Sequence, residues 1–153
     1  MINYVKQDLC EVTKGIVAHG VNCQSKMGSG VAGALKKKYP KIYPSYMEMC
    51  NTTDNPKELL GVVDFVKIKE DLIIVNCFTQ EFYGYDGKRY ADPDAIYNCM
   101  RILVSMAANR NLPIYIPKIG CGLGGLDWDK DVKSKIEEAG KRYPDVDIFV
   151  CDL

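Results

Sequence analysis

Short apolar runs punctuate this chain and alternate with segments whose apolar positions recur every three or four residues. Gly15-Ile16-Val17-Ala18-His19-Gly20-Val21 is apolar on both faces, which predicts a strand in the middle of a sheet. Ile2–Val5 reads as a short first strand. Gly61–Ile68 and Leu72–Phe78 are rich in β-branched residues, and Lys69-Glu70-Asp71 between them reads as a hairpin turn. Pro113–Pro117 and Val146–Cys151 supply two more strands. A helix is expected from about Gly30 to Lys38, stopping before Pro40, and another over Ile42–Cys50 with Pro44 in its first turn. Asp92 as N-cap and Pro93 at the first helical position open a third helix, to about Asn109. Asp127 or Asp129 caps a fourth, reaching about Lys141, with Pro144 beyond its end. Residues 51–56 read as a polar loop and residues 79–91 as an irregular, aromatic segment.

Buried strands that alternate with helices predict the α/β class: three α/β/α layers around a mixed, largely parallel central sheet. The whole of 1–153 is read as one domain, and no repeat, linker or low-complexity tract interrupts it. In such sheets ligands sit beyond the carboxyl ends of the strands. Two glycine-rich stretches leave strands at that edge. The first runs from Asn22 to Leu35 and holds Met27-Gly28-Ser29-Gly30-Val31; the second is Ile119-Gly120-Cys121-Gly122-Leu123-Gly124-Gly125. Glycine permits close approach of backbone to a ligand, and a helix start offers unpaired N–H groups with partial positive charge. Together the loops could hold a diphosphate. The first lacks the Lys-Ser/Thr ending of a triphosphate-binding loop and departs from the dinucleotide fingerprint.

Beside these loops stand the residues with chemistry. His19 is the single histidine, at the end of the central strand. It is either a core histidine or a general acid/base facing the ligand. Asn22 is a turn residue or a holder of a ribose hydroxyl. Asp8 caps a turn or accepts from the exocyclic amine of a base. The aromatic segment around Phe82, Tyr83 and Tyr85 packs locally or walls a planar ligand. Trp128 reads as core.

Composition narrows the partners. Lys+Arg and Asp+Glu both number 20, so no extended nucleic-acid surface is expected. The run Lys36-Lys37-Lys38 reads as a solvated last helical turn, with a phosphate-tracking patch as the alternative. Seven cysteines without a C-x-x-C pair, and one histidine, disfavour a Cys/His zinc site; neither metal nor cofactor is expected. The odd cysteine count and the strand-like N-terminus predict a reduced, cytoplasmic protein. No run is long enough to span a membrane. A monomer is expected.

Taken together, Val17-Ala18-His19-Gly20-Val21-Asn22-Cys23, Met27-Gly28-Ser29-Gly30-Val31-Ala32 and Ile119-Gly120-Cys121-Gly122-Leu123 resemble the macrodomain family over essentially the whole chain. The resemblance implies a macrodomain fold that binds ADP-ribose. It implies Asp8 and Leu9 at the adenine, Asn22 and Met27 to Val31 around the distal ribose, and Gly120, Cys121, Gly122, Leu123 and Gly124 at the diphosphate. The branch that processes ADP-ribose-1''-phosphate is suggested by His19 with Asn22-Cys23, by Tyr39-Pro40-Lys41, by Leu60-Gly61 and by Cys77-Phe78-Thr79. That branch implies a phosphatase, for which His19 and Asn22 are read as the catalytic residues: His19 protonates the leaving oxygen or activates water, and Asn22 fixes the ribose. A second branch removes terminal ADP-ribose from proteins. It uses a lysine after the central strand and an aspartate after Gly-Leu, where this chain has Gln80 and Gly124. A mono-ADP-ribosyl hydrolase and a non-catalytic ADP-ribose reader are the alternatives.

Overall fold

The protein is described by a computed structural model covering residues 2–152. Its strands are β1 (Ile2–Lys6), β2 (Gly15–Asn22), β3 (Val63–Lys69), β4 (Leu72–Gln80), β5 (Ile114–Ile116) and β6 (Ile148–Asp152). Its helices are α1 (Gly30–Lys38), α2 (Ile42–Cys50), α3 (Pro93–Arg110) and α4 (Lys133–Gly140). They form one six-stranded sheet in the order β1-β6-β5-β2-β4-β3. Every neighbouring pair is parallel except the β3–β4 hairpin. The expected mixed, largely parallel sheet is therefore present.

Alternation along the central strands builds the layers. Ile16 and Ala18 of β2, with Ile73 and Val75 of β4, pack against Ile96, Met100 and Leu103 of α3 and Ile136 of α4. Val17 and Val21, with Ile74 and Phe78, pack against Leu35 of α1 and Ile42 and Tyr46 of α2. Both faces are covered, which is why β2 and β4 read as continuous apolar runs. Each fully buried Leu or Ile contributes about 1.5–3 kcal/mol over leaving it exposed.

Local rules account for most element ends. The Asp92 side chain accepts from the N–H groups of Asp94 and Ala95, and Pro93 needs no partner there. Replacing Asp92 with Ala should cost about 1 kcal/mol in urea unfolding, leaving the sheet intact. Where one long helix was expected after Asp127, the chain first makes a wide turn over Trp128–Val132, and α4 begins at Lys133. Asp127 still caps it by accepting from Lys130 N (2.9 Å), while Asp131 accepts from Asp127 N (2.8 Å). Trp128 is buried as expected, and its indole N–H donates to the Tyr4 hydroxyl at 2.9 Å. Short 3₁₀ turns at Leu9–Glu11 and Pro56–Leu59 were not legible as periodic segments. Among the described residues no helix is long and apolar enough to cross a membrane.

Candidate functional site

Strands β2 and β5 are adjacent and parallel, with Ile16 opposite Ile114 and Val17 opposite Tyr115. The two glycine loops that follow them therefore leave the sheet side by side. Between them lies a cleft of about 630 Å³, a size suited to a small-molecule ligand. It brings together Asn22, Met27, Gly28, Ser29, Gly30 and Val31 from the first loop, Gln80 from the end of β4, and Gly120, Gly122, Leu123 and Gly124 from the second.

The second loop folds with several of its backbone donors left unused. Gly120 adopts φ +79°, and a Cβ there would lie 2.9 Å from Ile96 Cδ1, so only glycine fits. Leu126 N donates to Gly120 O (2.9 Å) and Gly125 N to Gly122 O (3.1 Å). Among the described residues, the N–H groups of Gly120, Gly122, Leu123 and Gly124 donate to no carbonyl. A Cβ on Gly122 would meet nothing within 4 Å. A run of unpaired donors beside open space is a nest for an anion.

The first loop ends at the start of α1. Ser29 occupies the N-cap position, yet its side chain makes no capping bond. The first-turn N–H groups are thereby left for a ligand, next to the positive end of the helix dipole. The Ser29 hydroxyl instead lies 2.8 Å from the Tyr85 hydroxyl, which reaches over from residues 81–90. That segment is also tied to the second loop, because Tyr90 N and Ala91 N both donate to Gly124 O (2.8 and 3.0 Å). Tyr83 and Tyr85 line the cleft, so the aromatic segment is a wall of it. Asn22 holds its own turn: Oδ1 accepts from Gln24 N (2.9 Å) and the Tyr46 hydroxyl (2.9 Å), and Nδ2 donates to Lys26 O (2.8 Å). One Nδ2 hydrogen remains for a ligand.

Residues 18–134 match the family model described as the Macro domain. The chain belongs to the macro domain family. This macrodomain is 27% identical over 150 residues to a DNA ADP-ribosyl glycohydrolase of Mycobacterium tuberculosis, covering 98% of this chain and 42% of that protein. The chain thus spans well under half of that relative's length. It is also 27% identical over 184 residues to an ADP-ribose 1''-phosphate phosphatase of Debaryomyces hansenii, covering 99% of this chain and all of that one. Among solved structures, the macrodomain of Mycobacterium tuberculosis DarG superposes with a TM-score of 0.81 at 25% identity, covering 100% of this chain and 98% of that one.

Not every expected site residue of the macrodomain reaches the cleft. His19 borders it but is only 1% exposed, and its imidazole points toward the α2 layer. Its Nε2 lies 2.6 Å from Asn76 Oδ1. The Asn76 amide nitrogen donates to Ile42 O (3.1 Å) and Asp64 Oδ2 (3.0 Å), and Ser45 Oγ donates to Asp64. Asn76 Oδ1 must therefore accept, so Nε2 carries the proton. Nδ1 is buried with no partner among the described residues. Burial, partly offset by the Asn76 bond, pulls the His19 pKa down to about 4. The enclosed, neutral imidazole fits the core reading of His19 better than that of a general acid/base facing the ligand.

Asp8, Leu9 and Cys121 also fall outside the cleft lining. Asp8 Oδ1 accepts from Cys10 N (2.9 Å) and caps the turn that follows β1, leaving Oδ2 for any other partner. Leu9 is core, and Cys121 Sγ turns back to Ile119 O (3.5 Å). Gln80 lines the cleft with its amide bonded to Phe82 O (2.8 Å). Two cations, Lys26 and Lys118, were missed, and Lys36 takes the alternative reading of its run. Lys26, Lys36 and Lys118 line the cleft, and among its described lining residues there is no carboxylate. Lys36 is not part of a purely solvated turn; its ammonium lies 4.5 Å from the centre of the Tyr43 ring. The signal was helical spacing, since Lys36 follows the cleft residue Ala32 by one turn.

Proposed function

We propose that this macrodomain binds ADP-ribose and hydrolyses ADP-ribose-1''-phosphate to ADP-ribose and inorganic phosphate. The observation that carries the reading is the polarity of the cleft: two sets of unpaired backbone N–H groups and three lysines, with no carboxylate among its described lining residues. Such a surface suits a ligand with a diphosphate and a further phosphate. The second loop takes the diphosphate, and the first loop takes the distal ribose. The terminal phosphate then lies toward Lys26 and Lys36. Asp8 Oδ2 is the acceptor offered to an adenine amine. Glycosidic cleavage ordinarily employs a pair of carboxylates, and none lies among the described lining residues of the cleft. The name of the full-length Debaryomyces hansenii relative supports the phosphatase reading.

With His19 in the core, positioning and charge carry the chemistry. Water attacks phosphorus and gives up a proton to solvent, the bond from phosphorus to the C1'' oxygen breaks, and that oxygen takes a proton from solvent to become the hemiacetal hydroxyl. The lysines stabilise the negative charge on the transferred group.

The test is phosphate release from ADP-ribose-1''-phosphate. Lys26→Ala and Lys36→Ala should each lower the rate by roughly 10- to 100-fold, below the scale of a lost oxyanion donor. Affinity for ADP-ribose, which lacks the terminal phosphate, should change less than about threefold. Wild-type protein that binds ADP-ribose but releases no phosphate would remove the phosphatase reading. Release of ADP-ribose from modified protein or nucleic acid would then separate a mono-ADP-ribosyl hydrolase from a reader.

A further inference from the structure

We propose that Tyr46 is a positioning residue for the distal-ribose end of the cleft, acting through a hydroxyl that clamps the Asn22–Lys26 turn from beneath. The proposal rests on the ADP-ribose reading above. Tyr46 sits on α2, fully buried, with its ring stacked on Phe78 of β4 (centroids 5.5 Å apart, planes at 19°). That stack fixes the ring and aims the hydroxyl at the turn. The hydroxyl donates toward Asn22 O (2.8 Å) and Asn22 Oδ1 (2.9 Å), and accepts from Lys26 N (3.1 Å). One atom of α2 therefore joins both ends of the turn.

A second observation shows why a clamp is needed. Ser25, at the centre of the turn, has φ +63°. That left-handed conformation is unfavourable for a residue with a Cβ and persists only where surrounding bonds over-determine it. Asn22 and Lys26 flank Ser25 and both line the cleft. Two Asn22 bonds, Nδ2 to Lys26 O and Oδ1 from Gln24 N, close the turn from within. Tyr46 anchors that closed unit to the helix layer. Without the hydroxyl, Ser25 can relax toward negative φ, and the Asn22 amide and the Lys26 side chain move together. Groups meeting the diphosphate on the second loop do not depend on this clamp.

Tyr46→Phe removes the hydroxyl and keeps the ring stack. Affinity for ADP-ribose should fall about tenfold, while affinity for ADP, which has no distal ribose, stays within twofold. For phosphate release, kcat should fall more than KM rises. Ser25→Gly in the Tyr46→Phe background should restore most of the lost ADP-ribose affinity, because glycine holds φ +63° without strain. Equal weakening of ADP and ADP-ribose, or no rescue by Ser25→Gly, would overturn the proposal in favour of a purely structural hydroxyl. Amide hydrogen exchange on ligand-free wild-type protein tests the clamp separately. The Lys26 N–H should exchange at least tenfold more slowly than the Gly28 N–H, and equal rates would overturn the clamp even if Tyr46→Phe fails to fold. If wild-type protein binds no ADP-ribose while Lys26 is protected, the ligand reading fails and the clamp stands without its proposed role.

Discussion

A glutamate at position 122 abolishes ADP-ribose binding and leaves the protein folded: this is the expected result of calorimetry and thermal unfolding on Gly122→Glu. Gly122 has no positive φ to defend, and a Cβ there meets nothing within 4 Å. The side chain therefore enters the open space beside the unpaired N–H groups of Leu123 and Gly124. It fills that space and places a negative charge where the diphosphate is proposed to lie. Loss of even two donors to a charged ligand, at roughly 1.5–3 kcal/mol each, weakens binding more than 100-fold. The melting temperature without ligand should stay within about two degrees of wild type, since surface changes of this kind usually alter stability by under about 0.5 kcal/mol. The stabilisation that ADP-ribose gives the wild type should vanish. Undiminished binding by Gly122→Glu would move the diphosphate away from the second loop.

The second large effect is on stability at acid pH. His19 is neutral and enclosed, with its pKa pulled down to about 4 from an ordinary 6.5. Between those values the unfolded chain binds a proton that the folded chain refuses. Stability therefore rises with pH across that window and is lost as pH falls from 6.5 toward 4. The shift corresponds to roughly 3 kcal/mol at its limit, of which about 2–3 should be gone between pH 7 and pH 4.5. His19→Leu should differ from the wild type in two respects. At pH 7 it should be less stable by about 1–3 kcal/mol, because Asn76 Oδ1 loses its donor. Its stability should then decline less steeply on acidification, by the amount His19 contributed. Urea unfolding of both proteins at the two pH values measures this. Parallel declines would show that the imidazole is not held neutral. The same burial predicts that phosphate release has no inflection near pH 6.5 arising from His19; such an inflection, absent in His19→Leu, would return the imidazole to the reaction.

The site was legible where its physics is local. Glycines that follow an apolar strand mark a backbone that must turn tightly and approach a ligand, and both loops took the expected place. Their adjacency was less direct, since it depends on β5 inserting beside β2 rather than at an edge. His19 was readable in principle. Alternate residues of a strand share a face, and Val17 and Val21 pack into the layer beneath α1 and α2. The same parity sends His19 into that layer. What sequence could not show were its partners, since Asn76 and Asp64 come from β4 and β3 and the bonds form only when the sheet closes. Tyr46 was hidden for the same reason: its hydroxyl meets Asn22 across 24 residues of chain, and its spacing says only that it faces a core. Asp8 could not be settled from sequence because a capping aspartate and an amine acceptor look alike there, and in the fold one oxygen caps the turn while the other stays available.

The bridge between Ser29 and Tyr85 gives the cleft a topology as well as a lining. The first loop joins the 81–90 segment through that pair of hydroxyls, and the segment joins the second loop through Gly124 O. The three pieces close a hoop over the sheet edge. While the two hydroxyls stay paired, the mouth of the cleft is bounded by one connected rim rather than by three separate loops.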